Sequence, residues 1–165
     1  MPKVHFVKAA RKDNAVCKKG ESYYWWKFRY GEKRFSKTHP RRSELTQSAF
    51  LGTIYDIEER IQAVTINDDF GDFISDIVNE LQDLQSDCES SLDSIPDQLR
   101  EGPSGALLQE RIDEVDNMIN DLEAIDTSVD IEREDYENEE EYKQALEDRK
   151  QNIVDEISEI SYSGS

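Results

Sequence analysis

Apolar side chains return every three or four residues over most of this 165-residue chain, and only its N-terminal part breaks that rule. Phe50, Ile54, Ile57, Ile61 and Val64 follow a 4-3-4-3 spacing that puts them on one helical stripe, widened by Leu51 and Tyr55. Ser43 is placed to cap this helix, with Glu44 in a first turn whose dipole favours an acid. A second stripe runs Phe70, Ile74, Ile77, Leu81, Leu84, Cys88, Leu92, Ile95 and Leu99, with one slip near Cys88. Such a helix reaches about 45 Å at roughly 1.5 Å per residue. Pro96 ends or kinks it, since proline has no amide donor and clashes with the preceding turn.

Beyond the break "REGPSG", a third helix capped by Ser104 carries Leu108, Ile112, Val115, Ile119 and Leu122. "DTSVDIERED" reads as a loop. Asn138 with Glu141 resembles a capping box for a last helix lined by Tyr142, Leu146, Ile153, Ile157 and Ile160. The terminal "SYSGS" is expected to fray. These stripes are core positions, and they are narrow enough that the helices need each other or a second copy of the chain. Antiparallel hairpins and a homodimeric coiled coil both satisfy them. The length of the second stripe favours a homodimer, with Phe70, Ile74, Ile77, Leu81, Leu84 and Leu92 as its interface.

The N-terminal part has a different grammar. "YYWWKFRYGEKRFSKT" is aromatic enough for strand, and Gly31-Glu32 supplies a two-residue turn of type II′. That turn sets Tyr30 against Lys33, Arg29 against Arg34 and Phe28 against Phe35. One face then carries Tyr24, Trp26, Phe28, Tyr30 and Phe35 for packing on a helix. The other carries Tyr23, Trp25, Lys27, Arg29, Arg34 and Ser36. Arg29 facing Arg34 would destabilise a sheet unless an acid or a phosphate lay between them. Trp25 beside Lys27 and Arg29 offers a ring next to cations, a combination that stacks bases and holds phosphates. Lys33, Lys37, Arg41 and Arg42 extend the positive surface, and "KVHFV" at 3–7 can add an edge strand.

Charge sharpens this division. Residues 1–45 hold 13 Lys/Arg against four acids, and residues 46–165 hold 7 against 34, within a net charge of −18. The expected organisation is therefore α+β and mostly α: a small N-terminal antiparallel sheet of two or three strands, then long acidic helices forming a helical hairpin or coiled coil. Residues 1–42 form the basic hairpin or sheet module, 43–102 the long helices, and 103–165 an acidic C-terminal helical hairpin. Hydrophobic residues (36%) barely exceed charged ones (35%), which favours thin bundles over a thick core.

The segment "WKFRYGEKRFSKT" followed by a helix resembles the small arm-type DNA-binding domain at the N-terminus of phage integrases. The likeness covers roughly residues 20–60 and rests on Gly31 with its flanking cations and aromatics. It implies a three-stranded sheet packed on one helix, with the sheet inserted into the DNA major groove. An acidic helical region follows where an integrase carries its catalytic domain, so the resemblance implies a reading mode and not recombination. The layout as a whole looks like that of small phage-encoded proteins.

Three functions follow as expectations. The first is non-enzymatic binding of DNA, RNA or another polyanion by the basic sheet, with the acidic helices serving oligomerisation and a protein partner. The second is a DNA-mimicking inhibitor of a host nucleic-acid-acting or defence protein, presenting acids such as Asp135, Glu137, Glu139 and Glu140. The third is a coiled-coil assembly protein. Alternatively, the basic hairpin is neutralised by the chain's own acids, and the acidic surface serves solvation. No catalytic constellation surrounds His5 or His39, the two histidines, and there is no glycine-rich phosphate loop or HExxH. Cys17 and Cys88 lie in different modules and form neither a zinc quartet nor a disulfide framework. No metal or other cofactor is expected. No signal-peptide core or membrane span is present, which points to the cytoplasm, that of the host if the protein is phage-encoded.

Overall fold

The computed structural model describes residues 1–164 and has the α+β organisation, with an N-terminal three-stranded antiparallel sheet followed by helices. Two compact units divide the chain, Met1–Asp56 and Ile57–Ser165. The division falls inside helix α1 (Ala49–Gln62), whereas the sequence pattern places module boundaries after residues 42 and 102.

In the first unit, β1 (His5–Val7), β2 (Tyr23–Lys27) and β3 (Lys33–Ser36) lie in the order β1-β2-β3. The β1–β2 register pairs His5 with Trp25, Phe6 with Tyr24 and Val7 with Tyr23. The β2–β3 register pairs Lys27 with Lys33, Trp26 with Arg34, Trp25 with Phe35 and Tyr24 with Ser36. This corrects the two-residue turn. Residues 28–32 form the connection, and the Gly31 amide closes a turn on the Phe28 carbonyl at 3.2 Å. Phe28 leaves the strand and is buried, which lengthens the loop. The register thereby moves by an odd number of residues, so Phe35 and Arg34 exchange faces and Arg29 no longer meets Arg34.

The long β1–β2 connection is held by its own polar groups. Asn14 Oδ1 accepts from the amides of Val16 and Cys17, and Asp13 and Glu21 carboxylates accept from those of Lys19 and Lys18. Gly20, at φ +94, supplies the left-handed residue before β2. Cys17, within this connection, is buried.

The helix does not begin at Ser43. Residues Ser43–Leu45 form a 3₁₀ turn, and the chain is extended at Thr46. Ser48 caps α1 instead, its Oγ accepting from the Leu51 amide at 3.2 Å. The expected stripe of Phe50, Ile54, Ile57, Ile61 and Val64 is buried throughout.

In the second unit, α2 (Phe70–Asp93) is capped by Asp69, which accepts from Asp72 N–H. It stops before Pro96 and is followed by the short α3 (Asp97–Arg100), so Leu99 leaves the stripe and is 62% exposed. Helix α4 (Pro103–Glu123) starts at Pro103 with Gly102 in the cap position, not Ser104. α2 and α4 are the closest-packed helix pair. Gln85 bonds Asp116, and Cys88 lies within the field of Arg111, so the two run antiparallel. α5 (Glu139–Ser158) has its expected cap, Asn138 Oδ1 accepting from the Glu141 amide at 2.9 Å, and buries Ile153 and Ile157.

Two further expectations change. Phe70, Ile74, Ile77 and Leu81 are already buried within one chain, with Leu84 and Leu92 half-buried, so covering this stripe requires no second copy. Tyr162 and Ser163 are docked rather than frayed, with Ser165 outside the described residues. Tyr162 N–H donates to Glu58 at 3.1 Å, and the Ser163 hydroxyl bonds Glu114. Burial pushes the Tyr162 phenol up to about 12, against the opposing pull of Arg111. Among the described residues no helix is long and apolar enough to cross a membrane.

Candidate nucleic-acid interface

Alternation along β2 separates two faces of the sheet. Trp26, with Phe28 beyond it, goes into the unit's interior, and the Arg34 guanidinium lies 5.1 Å from the Phe28 ring. The opposite face carries His5, Val7, Tyr23, Trp25, Lys27, Lys33 and Phe35. Trp25 is at its centre. His5 stacks on it from the β1 side (4.2 Å, 9° between planes), and the Lys33 ammonium lies 4.4 Å from the ring from the β3 side. The indole is thus covered by its own neighbours and offers no open platform for a base. Tyr23 and Phe35 meet at 6.0 Å, and with Val7, Arg11 and Lys12 they line a groove of about 450 Å³.

The expected cations separate into two groups. Lys37 pairs with Glu21 at 3.6 Å, and Arg41 pairs with Asp56 at 3.3 Å. The Lys18 amide, and then Lys37, hold the Glu21 carboxyl below the usual range. Arg42 lies over the Tyr55 ring at 3.8 Å. These three are used by the fold. Lys27, Arg29, Lys33 and Arg34 are exposed at the β2–β3 end, and no carboxylate among the described residues forms an ion pair with any of them. Lys27 and Lys33 stand directly opposite each other. A like-charge conflict of the kind expected at Arg29 and Arg34 is therefore present, at Lys27 and Lys33 instead.

Beside this end lies a groove of about 560 Å³, with Phe28, Leu45, Leu51 and Tyr55 in its wall and Lys27 and Arg29 along it. Strand alternation with a two-residue turn places Tyr30 on the packing face. It sits instead in the β2–β3 loop, 88% exposed, with the Arg29 guanidinium 5.3 Å from its ring. Only the loop length distinguishes these outcomes, and the burial of Phe28 is what sets it.

The acidic residues singled out in sequence lie around the start of α5. Glu139 pairs with Arg133 and Lys143, while Asp135, Glu137 and Glu140 are exposed. Among the described residues no group of His, Cys, Asp or Glu could hold a metal ion. No protein-family model, curated protein or solved structure matches this chain.

Proposed function

We propose that the first unit binds the phosphate backbone of a nucleic acid through Lys27, Arg29, Lys33 and Arg34, without catalysis. The observation that carries this reading is the exposed Lys27–Lys33 pair, set directly opposite across two strands with no acid to relieve it. A bound phosphate removes that repulsion, and the two arginines beside it add planar donors suited to phosphate oxygens. The charge of the whole chain does not oppose this. The first unit holds 13 Lys/Arg against five acids, and 33 of the 38 acids belong to the second. In the second unit most basic side chains are already paired, as in Arg60–Glu80, Arg100–Asp93 and Arg149–Asp126. Its surplus of carboxylates is a surface for a basic protein partner.

The test is a low-salt titration of the full chain with labelled DNA and RNA. Binding by the wild type, weakened by Arg29→Ala with Arg34→Ala, supports the proposal. Absence of binding to either nucleic acid at low salt refutes it.

A further inference from the structure

We infer that Tyr30 is a base-stacking residue and that the basic loop takes single-stranded nucleic acid in preference to duplex; this rests on the nucleic-acid reading of the first unit. The sheet's other rings are committed to the fold. Trp26 and Phe28 are buried, Trp25 is covered by His5 and Lys33, and Tyr23 and Phe35 meet each other. Tyr24 is engaged by Phe6 and by the edge of His39. Phe6, also exposed, belongs to β1, across the sheet from the β2–β3 connection.

Among the described residues of the sheet and its loops, Tyr30 combines a ring 88% exposed with the cations that no acid pairs. The buried Phe28 and the Gly31-to-Phe28 hydrogen bond hold the loop that presents it. Arg29 on one side and Lys33 and Arg34 on the other flank it in sequence, so a base on the ring has cations on both sides for its neighbouring phosphates. Single strands offer base faces to such a ring. In a duplex those faces are occupied by adjacent bases, and a ring at the surface gains only edge or backbone contact.

Fluorescence anisotropy of the full chain with labelled oligothymidylate, oligouridylate and a mixed-sequence duplex tests this. Tyr30→Ala is expected to weaken single-strand binding about tenfold, with duplex binding and the salt slope unchanged, because the lost group is uncharged. Tyr30→Trp should restore binding. Single-strand binding by Tyr30→Ala equal to wild type overturns the inference, as does an equal loss on duplex. A wild type that binds only duplex overturns the inference and leaves the phosphate-binding reading standing. A wild type that binds none of the probes overturns both.

Discussion

The separation of the cations into paired and unpaired groups makes a quantitative prediction about salt. Each phosphate neutralised by a protein cation releases counterions, with a log–log slope near −0.7 per contact for single strands and about −0.9 for duplex. Of the cations expected at this site, Lys27, Arg29, Lys33 and Arg34 have no acidic partner among the described residues, and four phosphate contacts set the slope near −2.8 for a single strand, or about −3.6 for duplex. Raising salt fourfold should then cost roughly 50-fold in affinity on single strands, and about 150-fold on duplex. Lys37 and Arg41 provide the internal control. Their salt bridges to Glu21 and Asp56 are exposed and screened by solvent, so they contribute little to stability. To reach a phosphate they must first leave those carboxylates. Anisotropy titrations across a salt series, for wild type and six single alanine variants, read the slopes directly. Each of the four unpaired cations should lower the slope's magnitude by about 0.7–0.9, while Lys37→Ala and Arg41→Ala leave it within error. Equal slope changes in both groups would sink the assignment, since pairing in the fold would then have no bearing on binding.

Two predictions concern the second unit. A Cβ added at Gly105 would fall 1.9 Å from the Arg100 carbonyl oxygen, with the Arg100 Cα also within 2.9 Å. Alanine gains about 1 kcal/mol in helix propensity, but opening the α3–α4 turn sacrifices hydrogen bonds such as Gly102 to Leu99 and Leu99 to Pro96. Those are worth roughly 0.5–1.5 kcal/mol each, and steric strain adds about 1–3. Gly105→Ala should therefore lower stability by about 2 kcal/mol in urea, net of the propensity gain; an unchanged or higher midpoint would contradict the close approach. The Tyr162 phenol keeps its proton in the fold up to about 12, while an unfolded tyrosine ionises near 10. Between those values the unfolded state binds fewer protons, so this contribution is whole below pH 10 and is lost as pH rises towards 12. Tyr162→Phe should flatten the fall in urea midpoint over that window; an identical pH profile in the variant would show that the phenol is not held in the fold.

The helices were legible because their signal is redundant. Five residues from Phe50 to Val64 repeat the same spacing, and all five are buried. An error in one would not have moved the stripe. Their beginnings rest on single residues and are less legible. Ser43, Ser48 and Ser104 are all plausible caps by residue type, and only Ser48 acts as one, because the chain at 43–46 turns through a 3₁₀ segment and Gly102-Pro103 starts α4 by another route. The docked tail was invisible for a related reason. Tyr162 binds Glu58, more than a hundred positions away, and no local pattern encodes that contact.

The basic sheet shows how a correct element can still misassign its site. Strand, order and edge partner were all readable from alternating aromatics and the apolar "KVHFV". Faces depend on parity, however, and parity depends on the loop. A Gly-Glu pair looks like a complete two-residue turn, and local turn chemistry favours it. Against that preference stands the burial of Phe28, a ring worth roughly 1.5–3 kcal/mol when removed from water. The two-residue turn would also set Arg29 against Arg34. The observed register does not escape repulsion, since Lys27 now faces Lys33, but Lys33 can lean over Trp25 and soften it. Choosing the longer loop thus buries Phe28, covers the Trp25 indole with His5 and Lys33, and displays Tyr30. The cationic character of the site survives the change of register because cations flank the loop on both sides. The identity of its aromatic contact does not survive, because one odd step in register is enough to reassign it.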